Sequence, residues 1–294
     1  MVHKLSASPL LSRRRMIQLG FVAAAHVTVP ISAAVASNSP LIALGGVPGF
    51  AAFAYPASTE NFRSDARAKL YIHNSAWEGL DPRIRVRVLR TFANNGRVDV
   101  ELGQWPHPDG WFRDGWSKLY GLYGIRPGRA HINVRSWPEW AAFAKAARSV
   151  GFESVSPIFS PNHGQYELGE FRTSNWDLVR TAAAAGGGIT TDSPVDFYLS
   201  QPEAYRQFLA DELHWARDQG LWTAFIVSPG HSDALFLEKL KLQMEDLRFR
   251  GTHPHEYIIE NYNLHPTVYE AVLVQTGHLQ GSLNEAATWL MAHS

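Results

Sequence analysis

The chain has 294 residues, its 27 Lys and Arg balance 27 Asp and Glu, and 45% of it is hydrophobic, an ordinary globular composition. Zero formal charge argues against a nucleic-acid-binding protein, which needs a basic surplus to neutralise phosphates. With no cysteine, disulfides, thiolate metal sites, iron–sulfur clusters and a cysteine nucleophile are excluded.

The first segment reads as an address. Ser12-Arg13-Arg14-Arg15-Met16-Ile17 is followed by an apolar run from Leu19, and no charged residue recurs until Glu60. A basic start, an apolar stretch and a small-residue close at Ala34-Val35-Ala36 form the layout of a secretory signal over residues 1–36. Adjacent arginines after a serine resemble the twin-arginine export signal, which implies transport of an already folded protein to the periplasm or beyond. The alternative is an N-terminal membrane anchor, but His26 and Pro30 interrupt a run that is short for a bilayer. The expectation is an exported, periplasmic or secreted chain that meets the export machinery through this segment and keeps no membrane span after cleavage.

Residues 37–294 are expected to form one domain. Short β-branched or apolar runs alternate with helical patterns, as in βα units. The spacing predicts strands at Lys69–His73, Val98–Leu102, Ala130–Val134, Ser154–Phe159, Gly188–Thr191, Thr223–Val227 and Glu256–Glu260, with Leu41–Leu44 as an eighth. Successive strand ends are about 25 to 35 residues apart, the length of one strand plus one return helix. Helices are expected over Glu203–Gln219, whose Tyr205, Phe208, Leu209, Leu213 and Ala216 share a stripe, after Asp233 as a cap, and after the capping box Ser282–Glu285. Ala182–Ala185 followed by Gly186–Gly188 predicts a helix end and a tight turn. Proline after serine at Pro157, Pro161, Pro194 and Pro229 is expected where strands end. The predicted fold is α/β, a single (β/α)8 TIM barrel, with an open doubly wound sheet as its competitor.

In a parallel barrel the working site lies at the carboxyl ends of the strands. Those ends carry acids, amides and rings, a mixture that suits sugars, whose hydroxyls need polar partners while their C–H faces stack on aromatics. Glycosidic cleavage commonly uses two carboxyl groups. Glu260 closes the apolar run Tyr257-Ile258-Ile259, where burial favours the protonated form a general acid needs. Asp192 ends a strand two positions earlier in the ring, and Glu101 ends another. These three are the candidate catalytic residues. Each has a structural alternative: Glu260 satisfied by Arg135 or a backbone amide, Asp192 capping the next helix, Glu101 facing the helix layer. Candidate substrate-binding residues are Asn74, Trp105, Arg135, Asn162, His163, Tyr166, His231 and Tyr262. Trp140 suits core packing. No cofactor motif is visible and no metal site is expected: His253-Pro254-His255 has a His-x-His spacing, but it precedes its strand and so falls at the face opposite the mouth.

At Gln165-Tyr166-Glu167, Gly188-Ile189-Thr190-Thr191-Asp192-Ser193-Pro194 and Ile259-Glu260-Asn261-Tyr262 the chain resembles exported bacterial (β/α)8 proteins of the glycoside-hydrolase type. The resemblance implies a carbohydrate substrate and a Glu on the last strand as a candidate acid. The Asn-Glu pair that ends strand four in the large retaining clan has no counterpart here, since Asn284-Glu285 lies in the last helix. The expected function is therefore hydrolysis of a poly- or oligosaccharide at the barrel mouth, with a non-catalytic carbohydrate-binding or polysaccharide-secretion accessory barrel as the alternative.

Overall fold

The computed structural model describes residues 40–44, 68–73, 83, 85–86, 89–90, 97–102, 112, 125–133, 136–159, 176–228, 235–260 and 283–294, all within one compact unit, Ser39–Ser294. The expected signal segment lies outside the described residues. The strands are β1 (Leu41–Leu44), β2 (Ala68–His73), β3 (Arg97–Leu102), β4 (Arg126–Asn133), β5 (Ser154–Phe159), β6 (Gly188–Asp192), β7 (Trp222–Val227) and β8 (Glu256–Ile259). Between and after them run α1 (Trp137–Ser149), α2 (Trp176–Gly186), α3 (Val195–Ser200), α4 (Glu203–Asp218), α5 (Phe236–Phe249) and α6 (Leu283–His293). From β2 to β8 each strand pairs in parallel with the next, and β1 pairs in parallel with both β2 and β8, so the sheet curls into a barrel. The architecture is thus a parallel α/β barrel rather than an open doubly wound sheet.

Alternation along the strands sorts side chains into two cores. Outward residues such as Ile72, Val100, Ile132, Val155, Ile189, Phe225 and Ile259 pack with the helices. Inward residues Tyr71, Ile158, Ala224, Ile226 and Ile258 form a smaller apolar cluster in the lumen. The predicted α4 stripe is buried, and Trp140 is core. Glu212 is buried in that stripe as well. Arg180 of α2 donates to both of its carboxylate oxygens at 3.0 and 3.2 Å, with its guanidinium over the Trp176 and Trp215 rings.

Two expectations need correcting. Pro157 sits inside β5, paired with Ile132 of β4, and does not end the strand. Its missing N–H is felt on the other side, where the β5–β6 register holds only at Ile158↔Thr190 and Phe159↔Thr191. β4 begins at Arg126 rather than Ala130, because Pro127 and Gly128 join the ladder with β3 across an irregularity between Val98 and Val100. Helix α5 starts at Phe236 after Leu235, whose φ is 61°; the predicted caps Asp233 and Ser282 lie outside the described residues.

Three consecutive glycines let α2 return directly into β6. A Cβ on Gly186 would stand 1.8 Å from the Val155 carbonyl oxygen, so the helix end touches the β5 backbone. Gly187 turns the chain at φ +86°, and its N–H donates to Ala183 O at 2.8 Å. On Gly188 a Cβ would meet Ser156 Oγ at 2.7 Å and the Trp222 carbonyl oxygen at 3.0 Å. Gly186→Ala is expected to lower the unfolding free energy by about 1–3 kcal/mol through overpacking, whereas an unhindered helical Gly→Ala raises it by about 1 kcal/mol. Urea denaturation distinguishes the two signs.

Candidate functional site

Because the strands are parallel, their carboxyl ends meet at one mouth. The lumen-facing residues Tyr71, His131, Thr190, Ile226 and Ile258 are followed two positions later by His73, Asn133, Asp192, Ser228 and Glu260, which period two places on the same face near the mouth. Asp192, Ser228 and Glu260 are 7%, 1% and 1% exposed. The backbone holds this rim in register past the strand ends. The amide of Glu260 donates to Val227 O at 3.2 Å, Ser193 N to Ile226 O at 3.4 Å and Val195 N to Ser228 O at 3.0 Å. The Gln243 amide, reaching from α5, donates to Ser193 O at 3.0 Å.

Asp192 does not cap the helix that follows it. The N-cap of α3 is Pro194, which makes no side-chain cap bond, so the carboxylate is held on the lumen face by the strand. Burial pushes the His73 imidazole down to about 4; in neutral solution it is an uncharged donor and acceptor rather than a cation. Glu101 stands on β3 in register with His73 and His131, and its side chain lies outside the described set. So do the predicted binding residues Asn74, Trp105, Arg135, Asn162, His163, Tyr166, His231 and Tyr262.

The sequence reading missed a second polar group deeper in the lumen. Lys69 of β2 donates from Nζ to Asp99 of β3 at 2.5 Å and to Glu256 of β8 at 2.9 Å, and all three side chains are buried. Asp99 also accepts from the Arg129 backbone N–H at 2.7 Å. Room for that carboxylate comes from Gly128, where a Cβ would lie 2.0 Å from Asp99 Oδ1. The Arg129 guanidinium approaches Glu256 at 3.8 Å and lies 3.4 Å over the Trp222 ring. His131 is fully buried, its Nδ1 2.7 Å from Thr190 Oγ1 and its Nε2 3.8 Å from Asp99. Burial alone would raise the Asp99 carboxyl, but Lys69, with His131 and Arg129, holds it well below the usual range. Glu256 goes the other way, to about 7, because burial and the neighbouring Asp99 charge outweigh Lys69 and Arg129. A signal for this group was present: Lys69 and Asp99 interrupt runs that a strand covered on both faces would fill with apolar residues.

At the amino-terminal side, His255 stacks on Trp222 with ring centroids 4.7 Å apart and accepts from the Thr223 backbone N–H at 3.1 Å. Burial lowers both His253 and His255, and their place ahead of β8 agrees with a structural role. Among the described residues no group of three or more His, Asp or Glu is placed to hold a metal ion, and no helix is long and apolar enough to cross a membrane. No protein-family model matches the sequence, and no curated protein matches it either.

Replacing Lys69 with Met leaves Asp99 and Glu256 buried without their shared cation. The expected cost is about 3–5 kcal/mol, read as a lower denaturation midpoint in urea at pH 7.

Proposed function

We propose that the chain is an exported (β/α)8 barrel of the TIM type, with Leu41–Leu44 as its first strand, that hydrolyses a poly- or oligosaccharide at the carboxyl-end mouth. The observation that carries this reading is the pair Asp192 and Glu260, nearly buried acids at the carboxyl ends of β6 and β8. Their strands are two apart, so the backbones stand about 10 Å from each other across the sheet. Carboxyls converging from such positions can flank a glycosidic bond, where separations of roughly 5 to 10 Å serve the retaining and inverting mechanisms.

In this reading Glu260 is the acid that protonates the leaving oxygen, because its side chain is the more completely withdrawn from water. Asp192 is the nucleophile or the base that activates water, fixed by a backbone that the β6–β7 ladder and Gln243 hold in place. Neutral His73 and the amide of Asn133 are suited to bind sugar hydroxyls. Glu101 and the aromatic and polar residues of the mouth loops, Trp105 foremost, would complete the subsites. The leader with Arg13–Arg15 and the Ala34-Val35-Ala36 close supports a periplasmic or secreted location.

Glu260→Gln and Asp192→Asn are each expected to lower turnover on a cleavable glycan by about 10²- to 10⁴-fold while shifting the thermal midpoint little. Full turnover in both variants ends the assignment. Glycan binding by wild type, with no product released across a broad panel, favours the accessory-barrel alternative. Amino-terminal sequencing of the exported form should begin at Ser37; an intact Met1 outside the cytoplasm ends the cleavage proposal.

A further inference from the structure

The two carboxyls of the inner cluster are unequally served. Asp99 receives Lys69 Nζ at 2.5 Å, the Arg129 backbone N–H at 2.7 Å and the His131 ring at 3.8 Å. Glu256 receives Lys69 at 2.9 Å on Oε1, and its Oε2 accepts no hydrogen bond from the described residues, with Arg129 no nearer than 3.8 Å. Both side chains are fully withdrawn from water. A buried carboxylate this thinly solvated is stabilised by taking a proton, and two carboxyls that flank one ammonium group can keep one acidic proton between them.

We propose that Glu256 and Asp99 form a proton-binding pair inside the barrel, through which the stability of the barrel follows external pH. Glu256 holds the proton and donates it toward Asp99, which keeps its charge against Lys69. The groups that face Glu256 are Lys69 from β2, Asp99 from β3 and Arg129 from β4, while His131 of β4 faces Asp99. Neighbouring β7 offers Trp222 and Ala224, and β1 reads Leu-Ile-Ala-Leu, so neither brings a titratable group.

The direction follows from linkage. Glu256 is raised from 4.5 to about 7 in the folded chain, so between those values the native state holds a proton that the unfolded chain has lost. The stabilisation is complete below the unfolded value and is lost as pH rises through about 7. His73, lowered by burial to about 4, acts oppositely in the acidic range. The informative quantity is therefore the ratio of unfolding constants of wild type and Glu256→Gln across pH.

That ratio should climb with pH by up to tenfold per unit between about 4.5 and 7, the limit for one proton, and level off above. A ratio that stays flat from pH 4.5 to 8 overturns the proposal. Infrared difference spectra of protein carrying ¹³C-labelled glutamate supply a second readout that does not require the variant to fold. A protonated glutamate carboxyl should persist to near pH 7 in wild type and equally in Glu260→Gln, which separates it from the acid at the mouth. Loss of that signal in Glu260→Gln, or its absence above pH 5.5 in wild type, also overturns it.

Discussion

The barrel is organised around a buried ammonium group. Lys69 Nζ lies between Asp99 and Glu256, and these partners are 30 and 187 residues away in the chain. One side chain thereby ties β2 to β3 and, past β1, to β8, joining the early and late parts of the ring. A slip of one residue in any of these strands would carry its charge from the lumen to the helix layer, away from its partners. The register is thus held by electrostatics as well as by the apolar pattern. The steric adjustment that admits Asp99 is a glycine at position 128.

Beside this group in the lumen is a small apolar cluster of Tyr71, Ile158, Ala224, Ile226 and Ile258, with Tyr71 in register with Asp99 and Ala224 with Glu256. The lumen holds two sets of charges at different depths. Glu256 and Glu260 are four residues apart on one strand line, about 13 Å along the barrel wall, with Ile258 between them on the same face. The lower set is mutually compensated and deeply buried. The upper set, Asp192 and Glu260, stands at the carboxyl ends of the strands, where loops and substrates have access in a parallel barrel. One sequence rule, alternation, therefore places the buried ion pairs, a small apolar cluster and the strand-end acids on the same lumen face.

Much of this architecture was legible in advance, and the reasons differ by element. β5 was readable to the residue because Ser154–Phe159 is a compact run between a helix end and a loop. The α4 stripe was readable because Tyr205, Phe208, Leu209, Leu213 and Ala216 keep helical spacing. The start of β4 was not, since Pro127 and Gly128 are poor strand formers recruited by the needs of Asp99 on the neighbouring strand. Pro157 misled for a related reason. A proline withholds its single N–H from one side of a strand only, and here the ladder with β6 simply begins after it. For the site, Asp192 and Glu260 were visible as polar ends of apolar strands, but the alternative that Asp192 caps α3 could be set aside only once Pro194 occupied the cap.

The inner cluster marks the boundary between the two kinds of information. Local sequence determined the strand and helix periods, the parallel α/β order, the aromatic stock, the absence of thiol chemistry and the acids at strand ends, because each depends on residues near one another in the chain. Tertiary structure alone decided that Lys69, Asp99 and Glu256 meet, that Gly128 makes room for them, and that the glutamates at the start of β8 and just past its end have different surroundings. Those outcomes depend on distances between residues far apart in sequence, and only the curling of the sheet into a barrel sets them.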